Sequence, residues 1–192
     1  MREDLVNGID ITATTVALGG LEIPASFEGR DLFAADYQPQ KFVISARDRC
    51  GIAVDRIRAV GTERFRYIRN YLTDRAFYQS QYRDKHASII ELRRAYTGGE
   101  MTPLQASYMS AETRPEEELY DLEKDPDQLN NLAKDPEYVS VLKQHRQILE
   151  EWIKKTGDQG QKMDSPEELK AVYDYAKGKV ESPEYDFLRD DN

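Results

Sequence analysis

Arginine dominates the part of the chain where charge chemistry could occur. Residues 41–94 hold 13 basic side chains, 11 of them arginine, against six acidic ones, a balance of +7. The balance is −5 over residues 1–40 and −11 over residues 95–192, so the net charge is −9. A guanidinium binds carboxylate, sulfate or phosphate through two donors. The middle third could therefore face an anion; alternatively, its arginines face water or pair with the acidic C-terminal third.

Other chemistry-bearing residues are sparse. Cys50 is the only cysteine, which excludes an internal disulfide and a cysteine-cluster metal site. The two histidines, His86 and His145, are far apart, and no phosphate-binding glycine loop, H-E-x-x-H or G-x-S-x-G motif is present. The sequence therefore predicts no complete catalytic site within this chain.

One acidic run resembles a calcium-binding loop at first sight, with carboxylates at 121, 123, 125 and 127. Such a loop needs glycine at its sixth position and a bidentate glutamate at its twelfth. Pro126 and Leu132 stand at those positions. We therefore predict no metal ligands here, and expect Asp125-Pro126 to end a strand and turn the chain.

Length and composition set further bounds. The chain has 192 residues and a mass of 22.2 kDa, which fits one domain or a small domain with an appendage. No stretch approaches the roughly 20 apolar residues of a membrane helix. The first residues do not form a basic region followed by an apolar one, so no secretory signal is visible. The net charge of −9 argues against nucleic-acid binding.

A β-hairpin is predicted at the centre of the basic region. Two β-prone runs, 56–60 and 65–70, flank a short turn that contains Gly61. Alternation would place Ile57 and Ala59 on one face of the hairpin and Arg56 and Arg58 on the other. If that second face is exposed, it forms a basic sheet surface.

Helices dominate the second half of the prediction. The strongest has an apolar stripe at steps of three and four residues, in which His145 is more simply a packing residue than a ligand; the stripe comprises Tyr138, Leu142, His145, Leu149, Trp152 and Ile153. Further helices are predicted over 10–18, after a cap at Asp84, over 102–108 and after Ser165-Pro166, and further strands over 42–46 and 118–122. Residues 158–164 are predicted to be a polar linker, and residues 180–192 a frayed acidic tail.

Three stretches, in this order and spacing, resemble the C-terminal portion of sulfatases of the alkaline-phosphatase-like superfamily. The similarity is nearest to heparan N-sulfatase-like and related glycan sulfatases. The stretches are Asp10-Ile11-Thr12-Ala13-Thr14 with Gly29-Arg30-Asp31-Leu32, Ser45-Ala46-Arg47-Asp48-Arg49 with the hairpin, and Glu117-Glu118-Leu119-Tyr120-Asp121-Leu122 with Asp125-Pro126 and Asn130-Asn131-Leu132-Ala133. Ala13 stands where the family usually has proline, and Asp31 where it often has serine.

The resemblance implies an α+β fold, with a small antiparallel sheet of about four strands packed against helices. The last helix of a missing α/β catalytic domain would precede that sheet. On this basis residues 1–35 would be the C-terminal end of the catalytic domain, 36–157 the C-terminal subdomain, and 158–192 an extra helix and acidic tail.

The resemblance also implies a chemistry that lies outside this chain. Sulfatases hydrolyse sulfate esters or sulfamates with a formylglycine and a divalent cation, usually calcium, both held in the N-terminal domain. Neither motif occurs here, and Cys50 is followed by Gly-Ile-Ala. We therefore expect a fragment that binds no cofactor and is inactive alone. Arg47 and Arg49 are the predicted substrate contacts; the alternative is that they pair with Asp48 or Asp55.

Expected partners are the missing catalytic domain and a sulfated carbohydrate, with neither nucleic acid nor a membrane span. Self-association is expected through apolar side chains of the first helix, at Ile11, Val16 and Leu18. Two other functions stay open: a non-catalytic module for anionic glycans or assembly, and a fragment of a phosphonate or phosphate ester hydrolase. The family is usually periplasmic, secreted or lysosomal, whereas this chain leaves its own location undetermined.

Overall fold

The computed structural model describes residues 4–79, 83–110, 113–177 and 182–189, and it has the expected α+β fold. The helices are α1 (Gly8–Leu18), α2 (Ala87–Thr97), α3 (Pro103–Ser110), α4 (Val139–Thr156) and α5 (Pro166–Tyr175). The strands are β1 (Val43–Cys50), β2 (Ala53–Gly61), β3 (Phe65–Asn70) and β4 (Glu117–Asp121). Short 3-10 helices cover Pro136–Tyr138 and Pro183–Leu188.

The four strands form one antiparallel sheet in the order β1-β2-β3-β4. The predicted hairpin is confirmed as β2 and β3, and its turn is closed by the Thr62 N–H, which donates to the Phe65 carbonyl at 2.8 Å. Strand β1 is longer than the predicted 42–46, because Arg47 and Arg49 continue its extended backbone to Cys50.

The chain divides into two compact units. The first unit comprises Met1–Ser45, Ala59–Tyr67 and Leu119–Leu149, and the second comprises Ala46–Arg58, Ile68–Glu118 and Glu150–Asn192. Each unit therefore includes part of every strand. The division into domains at residues 35 and 157 stays a prediction.

Within the first unit, a buried carboxylate explains the spacing of the first family-like stretch. Asp10, on α1, accepts hydrogen bonds from the backbone N–H of Arg30 at 2.9 Å and from the amide of Gln40 at 2.6 Å. Gly29 passes so close to α1 that an added Cβ would lie 2.2 Å from the Ile9 carbonyl oxygen. Only glycine fits there, because a backbone atom cannot move aside as the end of a side chain can.

The apolar stripe of α4 supplies much of the first unit's interior. Leu142, His145 and Leu149 are buried, as predicted for a packing face. Phe65 meets His145 edge to face, with ring centroids 6.1 Å apart. His145 is thus a packing residue: its Nδ1 donates to the Val141 carbonyl at 2.8 Å.

Two local predictions are wrong. Helix α2 is preceded by His86 rather than capped by Asp84, whose carboxylate instead pairs with Arg93 at 3.0 Å. The acidic tail is not frayed over 182–189, because Tyr185 is fully buried there against Val54 and Leu169. Residues 180, 181 and 190–192 of that predicted tail lie outside the described residues.

Candidate anion-binding site

The arginines of β2 lie in the interior of the second unit. Arg56 and Arg58 are 4% and 1% exposed, so the condition of exposure is not met and they form no basic sheet surface. Buried guanidinium groups need carboxylate partners, since desolvation of an unpaired charge is costly. Each has a carboxylate partner within residues 158–164, which agrees with the alternative interpretation that the arginines pair with the acidic C-terminal third.

Arg58 has two carboxylates for one positive charge. Its Nε and Nη2 donate to Asp158 at 3.0 and 2.9 Å, and its Nη1 donates to Asp48 at 2.7 Å. Burial by itself lowers the pKa of Arg58, but its hydrogen bonds to the two carboxylates outweigh burial and raise that pKa. Arg58 is therefore a permanently charged structural residue.

Asp164 shows the opposite ratio, with two arginines on one carboxylate. Its Oδ2 accepts from Arg49, and its Oδ1 lies 3.3 Å from Nη2 of Arg56. Arg49 also donates to the hydroxyl of Tyr185 at 2.6 Å, and Arg56 donates to the Lys162 carbonyl. Nε of Arg56 is buried and has no hydrogen-bond acceptor among the described residues.

Asp55 is a second carboxylate that serves two arginines. It is fully buried and accepts from both Nη groups of Arg114, from Arg47, from the amide of Gln79 and from the Arg56 N–H. Burial raises the pKa of the Asp55 carboxyl, but Arg114 and then Arg47 outweigh it, so the pKa lies below its usual range. Asp55 is therefore ionised at neutral pH.

The two predicted contact residues thus differ in their surroundings. Arg47 is 43% exposed and shares Asp55 with the fully buried Arg114. Arg49 is 26% exposed and pairs with Asp164 rather than with Asp48 or Asp55. Arg47 therefore pairs with Asp55, as the alternative interpretation expected, whereas Arg49 pairs with a carboxylate that was not expected. Contact of either arginine with a substrate stays a prediction.

Sequence reasoning missed four members of this network: Arg114, Gln79, and Asp158 and Asp164 of the linker. A signal was available for the linker. It lies in the acidic C-terminal third, and arginines of the basic middle third need carboxylate partners if they are buried. No comparable signal distinguished Arg114 or Gln79, since their role depends on which residues the fold brings to Asp55.

The acidic run at 121–127 is used for structure. Asp121 accepts both Nε and Nη2 of Arg64, at 3.1 and 2.7 Å, and this hydrogen bonding lowers the Asp121 pKa. Asp125 accepts from the N–H groups of Leu129 and Asn130, which turns the chain as predicted. The preceding strand ends earlier than predicted, at Asp121. Across the described ranges, no group of three or more His, Cys, Asp or Glu side chains could hold a metal ion.

A separate apolar groove lies in the first unit. It has a volume of about 370 Å³ and is lined by Ile9, Thr12, Ser26, Phe27, Glu28 and Gly29. Ile11, Leu18 and Leu21, which belong to α1 or follow it, are 60–70% exposed. In the parts of the chain that the structure describes, no helix is long and apolar enough to cross a membrane.

The site therefore belongs to an α+β fold in which arginines on the strands pair with buried or partly buried carboxylates. Sequence comparison finds that the chain is similar to sulfatases. The chain is 33% identical over 157 residues to an ulvan-active sulfatase of Formosa agariphila. The matched region makes up 80% of this chain but only 26% of that relative. A delta 4,5-hexuronate-2-O-sulfatase of Bacteroides thetaiotaomicron is 50% identical over 42 residues, which make up 22% of this chain and 9% of that protein.

The fold comparison agrees. The solved structure of a 2-O GAG sulfatase matches 83% of this chain and 27% of its own length, with a TM-score of 0.52 and 23% identity. No family model matches the sequence. These comparisons support the predicted likeness of the three stretches to the C-terminal portion of sulfatases. It spans about a quarter of the length of the first of these relatives.

Proposed function

We propose that this chain is the C-terminal subdomain of a sulfatase that acts on sulfated polysaccharide, and that Arg47 contacts the anionic substrate. The relationship to an ulvan-active sulfatase and to a hexuronate-2-O-sulfatase supports the substrate class. The observation that carries the role of Arg47 is the charge ratio at Asp55. Two guanidinium groups share that one carboxylate, so the partly exposed one contributes a positive charge that is not neutralised within the pair.

Among Arg47, Arg49 and Arg114, burial and existing hydrogen bonds leave Arg47 as the best candidate for the substrate contact. Arg114 is fully buried, so it is committed to Asp55. Arg49 already binds Asp164 and the Tyr185 hydroxyl. Arg47 donates to Asp55 through Nη2, and its other nitrogens have no partner among the described residues. A guanidinium that is fixed at one end and open at the other is preorganised for an anion, because little reorganisation accompanies binding.

Binding to immobilised ulvan tests this role, with desulfated ulvan as the reference surface. Arg47→Gln should weaken binding about tenfold, since it removes a charge-assisted hydrogen bond. Arg66→Gln is the matched control: it removes the same charge from an exposed residue of β3 whose side chain donates to Gln128. Equal losses for the two variants would show that only net charge matters and would refute a specific role for Arg47.

The hydrolytic chemistry is proposed to reside in a catalytic portion that this chain does not include. The 192 residues contain no C/S-x-P-S/A-R sequence, from which the family forms its formylglycine. The purified chain should therefore release no product from 4-nitrophenyl sulfate. Turnover by the pure chain, proportional to its concentration and absent from a mock purification, would refute this assignment.

The apolar groove and α1 are the proposed contact surface for that catalytic portion. The chain spans 26% of the ulvan-active relative, so a much larger partner is available to cover exposed side chains such as Ile11 and Leu18. Alone, the chain should self-associate. Ile11→Gln with Leu18→Gln should shift light scattering toward monomer, whereas Lys143→Gln with Lys154→Gln on α4 should not. A monomeric wild-type chain would contradict the proposal.

A further inference from the structure

The environment of Asp164 resembles an anion-binding site with an anion already in it. One carboxylate lies between two guanidinium groups, so Arg49, Arg56 and Asp164 together carry one excess positive charge. The pKa of Glu168 is lowered chiefly by hydrogen bonds from Ser165, whose N–H donates to the carboxylate at 2.8 Å, and less by the positive charges of Arg49 and Arg56. Glu168 is exposed and caps α5, so its charge is screened by water.

The Asp164 carboxylate leaves one arginine donor at this site without an acceptor among the described residues. Both oxygens of Asp164 are engaged, one by Arg49 and the other by Nη2 of Arg56. Nε of Arg56 is left without an acceptor, although the residue is 96% buried. An unsatisfied buried donor costs free energy. A tetrahedral oxyanion has four oxygens, so it can accept from both arginines and also from this nitrogen.

Asp164 is also a ligand that can leave. Its side chain is 27% exposed, and it lies just before α5, which begins at the Ser165 cap. Rotation of its side chain toward water requires no change in that helix. Arg56, by contrast, stays fixed through the Lys162 carbonyl, and Arg49 through the Tyr185 hydroxyl.

We infer that Arg49 and Arg56 form an oxyanion site for a sulfate group, free or carried on a sugar, and that Asp164 occupies this site as an internal competitor. The segment 158–164 then sets the affinity of the site, because a sulfate must displace the chain's own carboxylate. This inference does not depend on Arg47 or on the proposed enzyme activity. It requires only that an oxyanion gains access to the two arginines when Asp164 is neutral or displaced.

Thermal unfolding in sodium sulfate, compared with sodium chloride at equal ionic strength, tests the inference. Asp164→Asn keeps the side-chain shape but removes the carboxylate that pairs directly with both arginines. A ligand that binds the folded state raises the melting temperature in proportion to its affinity. Asp164→Asn should be stabilised by sulfate well beyond chloride, with an apparent sulfate affinity about tenfold tighter than that of the wild-type chain.

Asp158→Asn is the matched control. It also removes a carboxylate from a buried arginine of β2, but Arg58 keeps Asp48 at 2.7 Å and so stays neutralised. Sulfate should therefore act on Asp158→Asn as it acts on the wild-type chain. The inference is overturned if sulfate and chloride raise the melting temperature of Asp164→Asn equally. It is also overturned if sulfate raises the melting temperature of Asp158→Asn as much as that of Asp164→Asn.

The wild-type chain provides a second test that does not need a folded Asp164→Asn variant. Its smaller response to sulfate over chloride should shrink in Arg49→Gln to the general stabilisation by sulfate, which needs no binding site. Glucose 6-sulfate compared with glucose in the same assay then distinguishes a site open to sugar esters from one restricted to the free ion. Equal sulfate responses of wild type and Arg49→Gln would also overturn the inference.

Discussion

The two units of this chain use different interiors. The first unit is filled by apolar side chains from α4 and the sheet, including Val60, Leu119 and Leu149, together with His145. The second unit buries arginine: Arg56, Arg58 and Arg114 are each 4% exposed or less. The buried carboxylates of the first unit differ, because Asp10 accepts from neutral groups and Asp121 pairs with the partly exposed Arg64. Apolar contacts add up gradually with area, whereas a buried ion pair fails abruptly if one partner is lost. The comparison predicts that substitutions will have sharper effects in the second unit.

The largest effect is expected from Asp55→Asn. It leaves Arg114 buried without a carboxylate, which should lower the free energy of unfolding by about 3–5 kcal/mol. Urea denaturation followed by circular dichroism measures this. Asp48→Asn is the control, because Asp48 is 57% exposed and Arg58 retains Asp158; it should cost about 1 kcal/mol or less. Similar losses would show that burial of charge does not set the second unit apart.

A cavity substitution in the first unit should follow the apolar rule. Leu149→Ala removes a side chain that is 3% exposed and should cost about 2–5 kcal/mol. Val139→Ala, at an exposed position of the same helix, should cost much less. If Leu149→Ala costs no more than Val139→Ala, the α4 stripe is not the packing core of the first unit.

The two units should lose stability at different pH values as the solution is acidified. Burial lowers the pKa of His145, so its contribution is complete above the usual value of about 6.5 and is lost as pH falls below that. The pKa of Asp55 is lowered as well, so its contribution persists until pH falls below about 4. Melting temperatures should therefore begin to decline as pH falls below about 6.5, and His145→Gln should remove that first decline. An unchanged decline in the variant would contradict the assignment to His145.

The smallest effect is expected on the surface of the second unit. Lys170 and Asp174 pair at 2.8 Å with a spacing of four residues on α5, and both are about 60% exposed. Such pairs contribute roughly 0.3–0.5 kcal/mol. Asp174→Asn should therefore change the free energy of unfolding by no more than about 0.5 kcal/mol, less still in 0.5 M salt. A loss above about 1 kcal/mol would show that exposed ion pairs matter as much here as buried ones.

Local sequence signals predicted most of the elements. The capping box at Ser165 and the turn at Gly61–Arg64 were readable because a cap or turn depends on residues a few positions apart. The cap of α2 was mispredicted because the capping pattern considers only residues near the start of the helix. Asp84 forms an ion pair with Arg93 instead. For the candidate site, the sequence pointed to Arg47 and Arg49, whereas Asp164 and Arg114 emerged only as their neighbours in three dimensions.

The sequence by itself determined the hairpin, the amphipathic α4 and the likeness to sulfatases, because these depend on periodicity and on the order of short motifs. Only the tertiary structure decided which arginines are buried and which carboxylate each one meets. Arg58 and Asp158 are 100 residues apart, and Arg49 and Asp164 are 115 apart. Coulombic pairing depends on distance in space and on desolvation. Neither quantity exists until the strand and the acidic linker have been folded together.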